Sequence, residues 1–227
     1  MANFVLVHGG FTGGWVWKSV RAYLESNRHR VYTPTLTGLG ERAHLISPIL
    51  DLETHIQDVE NVLRYEDLND VILVGNSYSG MVITGVADRM PERIAHLIYV
   101  DAFVPHHGES VFDLVTPSLR SQFVAQANTQ GDGWRVSPLS DGDPRRLAQP
   151  IKTLQQPIVL SGADGGNYAR TFIRCTDPRS PSIDSSDKRV RENPSWQYLE
   201  LETSGRAAAQ APKLLSDMLL EAIQTAD

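Results

Sequence analysis

A serine held on a turn that only small residues allow constrains this chain more than any other feature. Val71-Ile72-Leu73-Val74 reads as a buried strand and Met81–Asp88 as a helix, and Gly75-Asn76-Ser77-Tyr78-Ser79 stands between them. A Gly-x-Ser-x-small segment between strand and helix is a nucleophile elbow. The serine takes a strained backbone angle, and its hydroxyl stands clear at the top of a sheet. Gly75 and Ser79 are small because strand and helix pass close together there. The motif implies the chemistry of a serine hydrolase, which also needs a histidine.

The rest of the chain alternates strand-like and helix-like segments, which predicts a parallel sheet covered on both faces. Strands are expected at Phe4–Val7, Arg30–Thr33, Ile94–Val100, Arg170–Cys175 and Gln197–Leu201. Helices are expected at Trp17–Ser26, at Glu53–Tyr65 with Ile56, Val59, Val62 and Leu63 on one stripe, and at Ala211–Ala226 with Pro212 in its first turn. From about Val111 to Gly166 this rhythm breaks into a stretch rich in Gly, Ser, Pro, Asp and Gln. At 227 residues the expectation is one domain with a sizeable core. A net charge of −6, with no basic run, argues against a nucleic-acid partner. A single cysteine, Cys175, excludes an internal disulfide and suits a reducing cytoplasm. No segment approaches the roughly 20 apolar residues of a membrane helix, so a soluble cytoplasmic protein is expected. No His, Asp, Glu and Cys grouping has metal-ligand spacing, and Gly38-Leu39-Gly40 is too weak a pattern to imply a nucleotide. No cofactor is therefore expected, and the partner is a small-molecule substrate. The oligomeric state stays open, a homodimer among the options.

An acyl-transfer site needs two backbone N–H groups aimed at one oxygen. One comes from the residue after the nucleophile, Tyr78, and the other from a loop after an early strand. His8-Gly9-Gly10 ends the first strand, and Gly10 is the natural second donor. The plainer alternative is a tight strand exit. The stretches His8–Trp17, Pro34–Arg42, Asp51-Leu52-Glu53-Thr54-His55, Tyr99–Pro105 and the elbow resemble one family. It is the small α/β-hydrolases that include plant methyl-salicylate-type esterases and hydroxynitrile lyases, and more closely their bacterial esterase relatives. Gly131-Asp132-Gly133-Trp134 and Thr171–Thr176 match more weakly. The resemblance spans nearly the whole chain. It implies an α/β-hydrolase fold with a mostly parallel sheet and helices on both faces. It also implies a cofactor-free enzyme for small, mostly apolar esters or related carbonyl compounds. The 111–166 insertion corresponds to a short cap. Phe112, Leu114, Phe123 and Trp134 are read as pocket wall or as ordinary core of the insertion, with Phe11, Asn76 and Phe103 as further substrate contacts.

The chain departs from that family where the resemblance implies a catalytic histidine after the last strand. Counting back from Ala211-Pro212, Gly205 takes its place, and the last histidine in the chain is His107. A serine hydroxyl without a base is a poor nucleophile, and removing the histidine of a serine triad costs about a million-fold in turnover. Asn76 and Ser79 replace a histidine and a glycine usual in relatives. His106 and His107 follow the Asp-Ala-Phe-Val-Pro stretch, where relatives tend to be acidic. They leave the carboxyl end of a strand, the face where ligands bind in α/β sheets, and are either a transplanted base or two solvated loop residues. His44 is a more distant candidate. His8 reads as structural, His29 and His55 as surface positions, His96 as lying in or beside a strand, and Cys175 as a buried strand residue. Asp177 and Asp101 are alternative positions for the triad acid.

Three functions follow. The first is an enzyme that keeps pocket and oxyanion hole but has diverged to cyclisation, isomerisation or lyase chemistry, in the manner of secondary metabolism, because an oxyanion hole stabilises any developing enolate or alkoxide. The second is a carboxylesterase using Ser77 with His106 or His107 as relocated base. The third is a non-catalytic binder of a small ligand.

Overall fold

In the computed structural model, which describes residues 1–138, 142–162 and 168–224, the apolar run near the start of the chain forms β1 (Asn3–Val7). It is followed by a 3-10 turn at Gly14–Trp17, α1 (Lys18–Ser26), β2 (Arg30–Tyr32) and α2 (Leu52–Tyr65). Asp51 caps α2, its carboxylate accepting from the Thr54 N–H at 3.0 Å. β3 (Val71–Asn76), α3 (Ser79–Arg89) and β4 (Ile94–Val100) come next. The elbow therefore has fewer residues between its strand and helix than the sequence pattern marks.

Between β4 and the next strand of the main sheet lie α4 (Val111–Leu114), α5 (Pro117–Gln130), an antiparallel ribbon of β5 (Arg135–Val136) with β6 (Gln149–Pro150), and α6 (Lys152–Gln155). Positions 139–141 and 163–166 of the expected insertion lie outside the described residues. The chain then runs through β7 (Ala169–Cys175), α7 (Asp184–Arg191), β8 (Gln197–Leu201), α8 (Ala207–Gln210) and α9 (Pro212–Gln224). Residues 225 and 226 of the expected last helix are outside the described residues.

The six strands of the main sheet stand in the order β2-β1-β3-β4-β7-β8, every pairing parallel. This is the α/β-hydrolase fold. Period-two alternation sorts the core into two layers. Val5, Val7, Val71 and Leu73 pack with Ile56 and Val59 of α2 and Val82 and Ile83 of α3. Phe4, Leu6, Ile72 and Val74 pack on the other face with Val20 and Leu24 of α1 and Leu215 and Leu219 of α9. Covered on both sides, the central strands read as unbroken apolar runs. Among the described residues no helix is long and apolar enough to cross a membrane.

Candidate active site

β3 delivers Ser77 with φ 53°, the left-handed region that L-residues avoid. Three backbone bonds hold it there. The Ser77 N–H donates to the Val100 carbonyl at 3.3 Å, and the Ser77 carbonyl accepts from Gly80 N–H at 3.1 Å and Phe103 N–H at 3.1 Å. The strand–helix approach expected at Gly75 is there, since a Cβ would sit 2.9 Å from the Ser79 carbonyl oxygen, and a second one is at Gly80, where a Cβ would run into the Phe103 carbonyl. Ser79 has a different task. Its buried hydroxyl donates to the Val7 carbonyl at 2.8 Å and accepts from the Asn76 N–H at 2.8 Å, tying β1 to β3 beneath the nucleophile.

Neither the Gly10 N–H nor the Tyr78 N–H is engaged by another group among the described residues, and both residues line a cavity of about 250 Å³ with Ser77. Gly10 has no room for a side chain, because a Cβ there would sit 2.8 Å from Gln149 Oε1. Gln149, fully buried, accepts from the Phe11 N–H at 3.0 Å and donates to Thr153 Oγ1 at 2.7 Å. It braces the loop in which Phe11 itself has φ 65°. Below the loop, His8 Nε2 accepts from the Leu36 N–H at 3.0 Å, so its Nδ1–H donates to the Gly9 carbonyl at 2.8 Å. Burial pulls the His8 pKa down to about 4, which keeps the ring neutral. It is occupied on both nitrogens and is a support of the loop.

Tyr78 is anchored through a second histidine. Its hydroxyl donates to His55 Nδ1 at 2.8 Å, and His55 Nε2 in turn donates to the Thr37 carbonyl at 3.0 Å. Thr37 is fixed by Asp58, which accepts from its N–H at 2.6 Å and from its hydroxyl at 2.8 Å. His55 is therefore fully buried, with its pKa lowered by burial. The expectation of a surface position is wrong, because α2 presents that face to the elbow.

Asp101, at the end of β4, also has a left-handed backbone, φ 45°. Its Oδ1 accepts from Arg174 Nη1 at 2.5 Å and from the Cys175 N–H at 3.3 Å. Arg174 has no solvent exposure and also bonds Asp184 Oδ1 and the Ser180 carbonyl, each at 2.8 Å. Burial raises the Asp101 carboxyl pKa, and Arg174 offsets this only in part. The other oxygen, Oδ2, accepts no hydrogen bond among the described residues and points at Gly205, where a Cβ would sit 2.7 Å away. The Gly205 carbonyl accepts from Asn76 Nδ2 at 3.3 Å, which places position 205 beside the elbow.

Ser77 stands where three cavities meet. The 250 Å³ cavity is apolar, walled by Phe11, Phe103, Val111, Val115 and Phe123. A second, of about 340 Å³, is lined by Asn76, Trp15, Arg146 and Gly205. The third, of about 680 Å³, brings Ser77 together with Asp101, Asp177 and Gly205. No hydrogen bond engages Ser77 Oγ among the described residues, and no histidine lines any of these three cavities.

A profile of the alpha/beta hydrolase family matches residues 4–219. The chain belongs to that family. The carbendazim hydrolyzing esterase of Nocardioides sp. (strain SG-4G) is 38% identical over 96% of this chain and 98% of its own. Methylesterase 8 of Arabidopsis thaliana is 32% identical over 96% of this chain and 88% of its own. Among solved structures, an extracellular alpha/beta-hydrolase from a Paenibacillus species superimposes with a TM-score of 0.84 at 21% identity, covering 98% of this chain and 99% of that one. That protein is described as sharing structural and functional homology with tobacco Salicylic Acid Binding Protein 2.

Within this hydrolase fold several sequence-derived candidates lie elsewhere. His106 and His107 are exposed and face a separate cleft of about 490 Å³, with Tyr168 and Trp196. His107 Nδ1 sits 2.9 Å from the Leu160 carbonyl and 3.1 Å from its N–H. The loop leaves the correct end of β4 and then turns away from the elbow, so neither imidazole is brought to Ser77. His44 is exposed in the 3-10 turn Gly40–Leu45. Asp177 reaches the shared cavity but is exposed. Trp134 packs in the β5–β6 ribbon under the Arg135 guanidinium, 5.2 Å from its ring, and lines none of the three cavities. Phe112 and Leu114 are buried in the core behind the wall, and Val111 and Val115 take their place. Cys175 is buried, and burial pushes its thiol up to about 12, far from a nucleophile. Gln149 and Arg146 carry no motif and escape sequence reading, and Arg174 lies in the weakly matching Thr171–Thr176 stretch without any sign there of its pairing with Asp101. Among the described residues no group of three or more His, Cys, Asp or Glu could hold a metal ion.

Proposed function

We propose that the chain is an enzyme of carbonyl chemistry for a small, largely apolar ester- or carbonyl-containing substrate, diverged from hydrolysis toward isomerisation, cyclisation or lyase reactions. The observation that carries this reading is the open Asp101 Oδ2, which faces the substrate space with no side chain from position 205 between. In a hydrolase triad such a carboxylate only orients an imidazole. Here it can itself take an acidic proton next to the substrate carbonyl, and its burial-raised pKa strengthens it as a base. The Gly10 and Tyr78 N–H groups hold the oxygen as enolate or alkoxide charge develops. The apolar cavity under α4 and α5, read as a cap, takes the hydrocarbon part. No cofactor enters these steps, and a cytoplasmic location fits the single cysteine.

Deuterium exchange at the α-carbon of small apolar ketones and esters in heavy water, read by mass spectrometry, tests the assignment. Exchange should vanish in Asp101→Asn, with folding checked by circular dichroism, and persist in Ser77→Ala. No exchange with any of the panel would sink the proposal.

Kinship with the Nocardioides esterase favours a second reading, a carboxylesterase with Ser77 as nucleophile. A base at His106 or His107 would then require the loop to refold toward the elbow. Rapid labelling of the unaided protein by a fluorophosphonate, lost in Ser77→Ala and in one histidine variant, would replace the first reading with this one.

A further inference from the structure

The side chain missing at position 205 leaves a shaped gap with a hydrogen-bond partner on each side. Ser77 Oγ has a proton to give and no acceptor among the described residues. Asp101 Oδ2 accepts from nothing, while Oδ1 is pinned by Arg174 at 2.5 Å, so the carboxylate cannot swing away. Gly205 lines both cavities that flank this gap, and a Cβ on it would point at Asp101 Oδ2. Ser77, Asp101 and Gly205 line one cavity of about 680 Å³, far larger than a five-membered ring needs.

We propose that this gap is a binding site for an imidazole-type base, a flat heterocycle with one N–H donor and one nitrogen acceptor on opposite edges. Its N–H donates to Asp101 Oδ2 and its bare nitrogen accepts from Ser77 Oγ–H. A simple amine cannot do both in its neutral form along one line, and a carboxylate would be repelled by Asp101. Occupied, the gap turns the site into a hydrolase. The ring nitrogen takes the Ser77 proton as Oγ bonds to the substrate carbonyl carbon, and the carbonyl π pair moves onto the oxygen held by Gly10 and Tyr78. Collapse breaks the bond to the alkoxide, which leaves with the proton from the imidazolium. Water then attacks the acyl-serine, gives its proton to the ring, and Ser77 recovers a proton as the acid departs. The ring can arrive free in solution or as part of the substrate. This inference rests on the oxyanion hole described above but not on Asp101 acting directly on substrate.

Fluorophosphonate labelling of Ser77, followed by intact mass, is measured against imidazole concentration at fixed pH. The expected result is acceleration on the order of 10²-fold, the usual range for an added general base, saturating as the site fills and absent in Asp101→Asn. Gly205→Leu should abolish saturation by filling the gap, and Gly205→Ser, which places less bulk there, should weaken it if the leucine variant misfolds. A rate rising linearly with imidazole, or equally with a phosphate buffer of matched pH, would be buffer catalysis and would overturn the proposal. Two esters separate the sources. One carrying an imidazole ring and hydrolysed without added base marks a substrate-borne ring, whereas a phenyl analogue hydrolysed only with added imidazole marks a free one. Neither ester being hydrolysed under any imidazole concentration overturns the proposal as well. α-Proton exchange that survives such a failure leaves the preceding function standing, and loss of both removes both.

Discussion

Acidification from pH 8 to pH 5 should destabilise this protein through its buried imidazoles, His55 by the lowered pKa described above and His8 and His96 by amounts that can be worked out. His8 and His96 are both buried, and burial lowers each pKa from 6.5 to about 4. His8 uses Nε2 to accept from Leu36 N–H, so a proton there sets two donors against each other. His96 donates from Nε2 to Thr171 Oγ1 at 2.7 Å, since that hydroxyl donates onward to Gln197 Oε1 at 2.7 Å. The folded-state pKa lies below the unfolded one, so the unfolded chain binds the extra proton first. The stabilisation is whole above about pH 6.5 and is lost as pH falls toward 4. For a shift of that size, linkage makes the loss between pH 8 and pH 5 about 2 kcal/mol per group, about 4 kcal/mol for the pair. Carboxylates held low by partners, such as Glu53 beside Arg89, act in the same sense but only nearer about pH 4. Asp101, raised by burial, opposes the trend. Urea unfolding at the two pH values measures the difference. His96→Gln should reduce it by about 2 kcal/mol, whatever the substitution does to stability at pH 8. Equal stability at both pH values would mean these imidazoles are not held neutral, and the burial argument would fail.

Other expectations follow from the same networks. Arg174→Met strips the guanidinium from the buried Asp101 and Asp187 carboxylates and should cost about 3–5 kcal/mol in thermal or denaturant unfolding. A loss under about 1 kcal/mol would deny the pairing its structural part. Tyr78→Phe leaves His55 Nδ1 without its donor and should destabilise by about 1–3 kcal/mol, measured as a shift in unfolding midpoint. A neutral result would show that water replaces the phenol hydroxyl.

What was legible in the sequence is what near neighbours along the chain decide. The elbow is a local steric solution, and Ser77 has the left-handed φ that such a turn requires. Strand β4 falls at Ile94–Val100 because a short apolar run between helices is a doubly covered strand, and β8 falls at Gln197–Leu201 as a half-buried strand on the sheet edge. Helix α5 was illegible because its apolar residues form no stripe; only Phe123 and Ala127 are buried. Counting along the chain could place Gly205 at the vacant position, but only tertiary structure aims that position at Asp101 Oδ2. His55 and His106 look alike in sequence, yet α2 buries one against Tyr78 while the loop after β4 leaves the other exposed. Gln149 braces Phe11 from 138 residues away, and Arg174 meets Asp101 across 73. The sequence alone determined the backbone turns and the sheet, since torsional sterics and apolar periodicity act over a few residues. Which side chains converge on Ser77 was decided by the tertiary structure, because burial and electrostatic pairing depend on distance in space.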